Sequence, residues 1–169
     1  MIDKCKKHDL KPLPRDAGEI TVKRLGLIES KEGGENPRTI GNEIRKVMQE
    51  HCGVFRFPEL LEEGVKLIKG LRVRVDKLTI SDTSKIFNTA RIEAMEVKNL
   101  IEVAEATIIS ASNRKESRGS HSRSDYPKRD DNEWLKHSVY NPLTKEITYR
   151  PVNLTPLTVE SFPLKERVY

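Results

Sequence analysis

Three stretches of this 169-residue chain repeat apolar side chains every three to four residues, each between its own start and stop signals, which favours a helical core. Asn36-Pro37 opens the first: a capping side chain precedes a proline whose missing N–H costs nothing at the first helical position. Helix one is expected over residues 37–51, with Ile40, Ile44, Val47, Met48 and His51 on one stripe and Gly53 as the stop. Helix two is expected over 58–78, carrying Leu61, Val65, Ile68, Val75 and Leu78, with Glu59, Glu62 and Glu63 near its electropositive start. Asn88 caps the longest, over 89–112, whose apolar positions, from Ile92 through Leu100 to Ile109, cover more than one narrow stripe and need neighbours on two sides.

Short turns between three such helices make a mainly α, antiparallel three-helix bundle the economical arrangement. Residues 1–35, broken by Pro12, Pro14 and Gly18, read as an irregular lead, in which only 20–27 hints at order and Gly33-Gly34 is a flexible linker. The bundle then occupies 36–113. Residues 114–169 follow as a basic loop, a β-hairpin over 135–140 and 146–151 around the loop Asn141-Pro142-Leu143-Thr144-Lys145, and an extended apolar tail.

No apolar run approaches the roughly 20 residues that span a bilayer, and the lysine-rich first 16 residues lack a signal peptide's apolar stretch. Two cysteines, Cys5 and Cys52, cannot build a disulfide framework, so a reducing compartment is expected. Cys5, His8, His51 and Cys52 lack the spacing of a zinc site. Gly33-Gly34 lacks the Gly-Lys-Ser/Thr of a phosphate loop. The adjacent Ser120 and His121 point apart in an extended segment, so no hydrolase triad is expected.

The net charge of +5 is concentrated: residues 114–129 hold six basic groups against Glu116 and Asp125. Three readings of this stretch stay open. It can be a solvated Ser/Arg loop. It can be a nucleic-acid module using Arg114, Arg118, Arg123, Lys128 and Arg129 with Tyr126 and Trp134 as stacking groups, against which Asp130, Asp131 and Glu133 would repel a polyanion. Or it can be a structural hinge, its arginines paired with Glu116, Asp125 or another domain's carboxylates and Gly119 supplying a backbone angle that other residues cannot adopt.

The run R-K-E-S-R-G-S-H-S-R-S-D-Y-P at 114–127, followed by R-D-D-N-E-W-L-K-H-S at 129–138, closely resembles the C-terminal part of the flavoprotein subunit of succinate dehydrogenase and its relative fumarate reductase. M-Q-E-H-C-G-V-F-R at 48–56, D-T-S-K-I-F-N-T at 82–89, N-L-I-E-V-A at 99–104 and Y-R-P-V-N-L-T-P at 149–156 extend the likeness. The closing R-V-Y at 167–169 looks more like succinate dehydrogenase. L-Aspartate oxidase shares a looser version of the arginine motif.

The resemblance implies a three-helix bundle plus a small C-terminal domain, as the periodicity does. It also implies a parent enzyme that oxidises succinate to fumarate through covalently attached FAD and passes electrons to an iron–sulfur subunit and quinone. The family's FAD-binding, proton-donating and substrate-binding residues have no matching position here, so this piece is expected to bind no FAD, to hold no catalytic residue, and to be an expressed domain or the product of a fragment gene. Implied partners are the flavin-binding domain and the iron–sulfur subunit, with no nucleic acid and only indirect membrane contact. The complex would lie peripherally on the cytoplasmic side of a bacterial inner membrane, the piece alone being soluble and cytoplasmic. Arg114, Arg118, His121, Arg123, Asp125 and Arg167 are the candidate structural and interdomain residues.

Overall fold

The computed structural model describes residues 12–29 and 33–165. Its elements in chain order are α1 (Glu19–Glu29), α2 (Pro37–His51), β1 (Phe55–Arg56), α3 (Pro58–Val75), α4 (Thr89–Asn113), β2 (Ser122–Arg123), β3 (Lys136–Tyr140) and β4 (Ile147–Pro151). Helices α2, α3 and α4 pack mutually, and the β3–β4 hairpin lies against α4. The chain is mainly α with a C-terminal hairpin, as the periodicity and turn chemistry require.

The expected caps form. The Asn36 side chain accepts from the Thr39 N–H at 3.2 Å, with Pro37 next to it, and the Asn88 side chain accepts from the Arg91 N–H at 2.8 Å. Each satisfies one donor that a helix start otherwise leaves unpaired. Ile40 and Ile44 of α2, Leu61 and Ile68 of α3, and Ile101 and Ile108 of α4 fill one core and are essentially unexposed. Ala94 of α4 belongs instead to a second cluster with Ile28 and Ile80, which is the second neighbour that the breadth of the helix requires.

Several details differ from the sequence expectation. The irregular lead contains the helix α1, which docks through buried Ile28 and an Arg24–Asn99 hydrogen bond of 3.2 Å; its own apolar pattern is weak, and tertiary contact stabilises it. Helix α3 ends at Val75 rather than 78. Leu78 is buried from a separate segment that pairs with Glu35 in a parallel bridge, its neighbours exchanging Glu35 N–H to Lys77 carbonyl (2.9 Å) and Thr79 N–H to Glu35 carbonyl (3.1 Å). Gly33-Gly34 is accordingly more than a linker, because a Cβ on Gly34 would fall 2.2 Å from Thr79 Cγ2 and 2.3 Å from the Lys77 carbonyl oxygen. The two-stranded parallel pair β1–β2 has no periodic signal at two residues per strand.

The hairpin pairs Tyr140 with Ile147 and Lys136 with Pro151, so its strands begin one residue later than expected on each side. Asn141 builds the turn: its side chain accepts from the Leu143 N–H at 2.9 Å and its carbonyl from the Lys145 N–H at 2.8 Å. Lys145 has φ of +61°, and its ammonium reaches the buried Glu105 carboxylate of α4 at 3.0 Å. This pair and the Asn113–Tyr149 hydrogen bond (2.6 Å) fasten the hairpin to the bundle. Residues 152–165 run without helix or strand, with Leu157 and Phe162 exposed.

Gly64 sits where the three core helices approach most tightly: a Cβ there would meet His51 Cβ at 2.5 Å and Ile108 Cδ1 at 2.6 Å, whereas one on Gly70, in the same helix, would meet nothing within 4 Å. Gly64→Ala is therefore expected to lose about 1–3 kcal/mol by overpacking. Gly70→Ala should gain about 0.5–1 kcal/mol from helix propensity. Urea unfolding of the two variants checks the opposite signs; equal signs would refute the close approach.

Candidate functional site

The chain leaves α4 at Asn113 and enters the basic stretch, which folds back over the helix end. Arg118 and His121 exchange backbone hydrogen bonds of 2.8 and 3.0 Å around the tight loop Gly119-Ser120. Gly119 has φ of +56° in open space, so conformation and not room demands glycine there. The Ser124 N–H donates to the Arg56 carbonyl at 3.0 Å, joining this stretch to β1.

Glu116 is the centre of the arrangement and has 0% exposure. Its carboxylate accepts from Arg118 Nε at 2.8 Å and Nη2 at 3.0 Å, from the Asp130 N–H at 2.9 Å, and from Arg114 Nη1. Burial alone would push its pKa up; the Arg118 side chain, the Asp130 N–H and Arg114 outweigh that and hold it below the usual carboxylate range. Arg118 continues to Asp131 Oδ1 at 2.7 Å. Arg114 donates to the Trp134 carbonyl at 2.9 Å and to the Lys136 carbonyl, and its guanidinium lies 5.2 Å from the centre of the Trp134 ring.

Arg123, 5% exposed, closes the end of α4. Its Nη1 donates to the Ala111, Ser112 and Arg114 carbonyls at 3.1, 2.9 and 3.3 Å, while Nε and Nη2 grip Asp125 at 2.7 Å each. A cation at the electronegative end of a 25-residue helix is favourably placed and satisfies carbonyls the helix cannot. The Arg123 hydrogen bond holds the Asp125 pKa down.

His121 is buried beside Arg56, whose Nη1 donates to His121 Nδ1; His121 Nε2 then carries the proton, 3.4 Å from the Arg114 carbonyl. Burial, then the Arg56 charge, push its pKa down to about 4, so the ring is neutral at neutral pH. Both ring nitrogens are engaged, and neither is directed to a nucleophile.

The structure thus brings Arg114, Arg118, His121, Arg123 and Asp125 into one cluster, while Arg167 lies outside the described residues. Within 130–133, Asp131 pairs with Arg118 and Arg129, and Asp130 Oδ1 accepts from the Asn132 and Glu133 N–H groups. Sequence reading missed Arg56, whose partner His121 lies 65 residues along the chain, and Lys136, whose ammonium meets Tyr149 only once the hairpin has formed. Beside the cluster, a cleft of about 710 Å³ runs between α4 and the hairpin, with Arg56, Arg118 and His121 on its lining together with Val103, Ala106 and Leu135. Among the described residues no group of three or more His, Cys, Asp or Glu could hold a metal ion; Cys5 and His8 lie outside them.

The sequence profile described as "Fumarate reductase flavoprotein C-term" matches residues 41–169. The chain belongs to this family. It is 42% identical over 168 residues to the succinate dehydrogenase flavoprotein subunit of Coxiella burnetii, covering 98% of this chain and 28% of that protein. With the fumarate reductase flavoprotein subunit of Haemophilus influenzae it shares 38% over 151 residues, 88% of this chain and 24% of that one. A solved structure of E. coli quinol fumarate reductase superposes with a TM-score of 0.76 at 32% identity, over 90% of this chain and 27% of that one. The chain therefore spans about a quarter of the length of the curated relatives it matches. No helix of the described residues is long and apolar enough to cross a membrane.

Neutral His121 has a consequence for pH. The unfolded imidazole takes up a proton near 6.5 and the folded one only near 4, so stability is fully present above 6.5 and is lost as pH falls toward 4. Urea midpoints at pH 7 and pH 5 should differ more for the native sequence than for His121→Gln. Identical pH slopes in the two proteins would refute the buried neutral ring.

Proposed function

We propose that this chain is the non-catalytic C-terminal portion of a succinate dehydrogenase flavoprotein subunit, and that its arginine cluster buttresses the flavin-bearing portion and the assembly of the subunit. In this reading the parent oxidises succinate to fumarate by hydride transfer to covalent FAD and passes electrons to an iron–sulfur subunit and quinone. It does so peripherally, on the cytoplasmic side of the inner membrane. Family membership supports the parentage, together with the higher identity to the Coxiella burnetii succinate dehydrogenase subunit than to the Haemophilus influenzae fumarate reductase subunit.

The described residues do not themselves fit a flavin. The described strand that runs directly into a helix, β1 into α3, does so through Phe57-Pro58, with no glycine to let a diphosphate approach the backbone. The chain's own contribution is mechanical, and the buried Glu116 hub is the observation that carries this.

Arg114, Arg118 and Asp130 converge on one fully buried carboxylate and thereby hold the helix end, the basic loop and the start of the hairpin in one geometry. Breaking a buried ion pair on one side costs about 3–5 kcal/mol, because the remaining charge stays desolvated. The nucleic-acid reading finds less support, since Arg114, Arg118, Arg123 and Arg129 already have carboxylate partners within the chain. A salt-sensitive gel shift at physiological ionic strength would favour it nonetheless.

In a full-length subunit carrying this segment, Arg118→Ala is expected to lower the unfolding free energy by about 2–4 kcal/mol, less than for a wholly buried pair because Arg118 is partly exposed. Flavin content and turnover should fall with it. Normal stability, flavin content and turnover together would sink the buttress reading.

A further inference from the structure

The lysine and arginine side chains that line the cleft fall into two sets. Arg114 and Arg118 each grip a carboxylate of the same chain. Arg56 and Lys136 do not: among the described residues neither has a carboxylate partner. Arg56 donates from Nε to the Gly53 carbonyl at 3.0 Å and from Nη1 to the neutral His121 ring. The Lys136 ammonium stands over the rings of Trp134 and Tyr149, 4.9 and 4.3 Å from their centres.

Both residues line the same cleft, and both are half-buried. The carboxylate on its lining, Glu102, is held by Arg72. Two half-buried cations without counter-ions facing one cleft leave its lining electropositive, which favours an anion there. Val103, Ala106 and Leu135 along the same cleft, and the 76% exposed Phe55 next to Arg56, add apolar surface that bulk water does not favour.

We infer that Arg56 and Lys136 form a carboxylate-accepting dock for an acidic side chain, set on an apolar segment, of the flavin-bearing portion of the full-length subunit. The inference rests on the reading of this chain as one part of such a subunit. Two observations select that occupant. The lining is electropositive and partly apolar, which complements an acidic side chain flanked by apolar ones. The chain also spans only 28% of the Coxiella burnetii relative, so most of that polypeptide lies outside the matched residues. Contact with the rest of the subunit is thereby assigned to Arg56 and Lys136, while Arg114 and Arg118, whose charges Glu116 takes up, shape the cleft lining beside them.

A zero-length carbodiimide crosslinker applied to the full-length subunit tests this directly, because it couples an ammonium only to a carboxylate in contact with it. Mass spectrometry should find Lys136 joined to an Asp or Glu of the flavin-bearing portion. Arg56→Gln with Lys136→Gln should leave the far-UV circular dichroism of the subunit unchanged and raise the rate of tryptic separation of this segment about tenfold or more. Lys136 joined to no carboxylate, only to one within this segment, or to one on a second copy would overturn the inference. So would a double variant with an unchanged cleavage rate. If Arg118→Ala still lowered flavin content, the buttress reading would survive that failure; if it did not, both would fall.

Discussion

One buried carboxylate organises the C-terminal third of this chain. Glu116 has no access to solvent, and its charge is tolerable only because two guanidinium groups and a backbone N–H converge on it. Each of those donors belongs to a different piece of chain: Arg114 at the end of the long helix, Arg118 at the tight loop, Asp130 ahead of the hairpin. A well-packed apolar residue could stabilise such a point as much, but it would not select one mutual orientation of three polar segments. The direction of hydrogen bonds supplies that selection.

The same logic extends outward. Arg123 ties the basic stretch to the last carbonyls of α4, so the helix end and the loop that follows it form one unit. His121, kept neutral by burial and by Arg56, packs an aromatic ring among cations without adding charge. Glu105 repeats the device near the hairpin turn, where Lys145 reaches a carboxylate that is nearly dry. The hairpin is thus fixed to the bundle at its base through Arg114 and near its turn through Lys145.

Much of the fold was legible before any coordinates. The Asn36-Pro37 and Asn88 caps, the stripe from Ile40 to Ile44, and the turn beginning at Asn141 act within a few residues, and local rules describe them. The misreadings share one physical origin. Leu78 continues the helical spacing of Val75 but is buried from a segment beyond the helix, since periodicity reports that a side chain is apolar and not which element carries it. Helix α1 has little amphipathicity of its own and forms where Ile28 meets Ile80 and Ala94. The pair β1–β2 is two residues long and joins segments more than 60 residues apart, beyond any sequence window.

For the site, the sequence by itself determined the residue types: a run rich in arginine, one histidine, Glu116 and Asp125 close by, and a glycine where the backbone turns left-handed. Only the tertiary structure decided what those charges do. It placed Arg56 against a histidine 65 residues away, set Asp131 between Arg118 and Arg129, and left Arg56 and Lys136 without a carboxylate among the described residues. The reason is that charge pairing depends on separation in space and on local burial. Both are set by how the helices and the hairpin pack, and neither is written in the order of the residues.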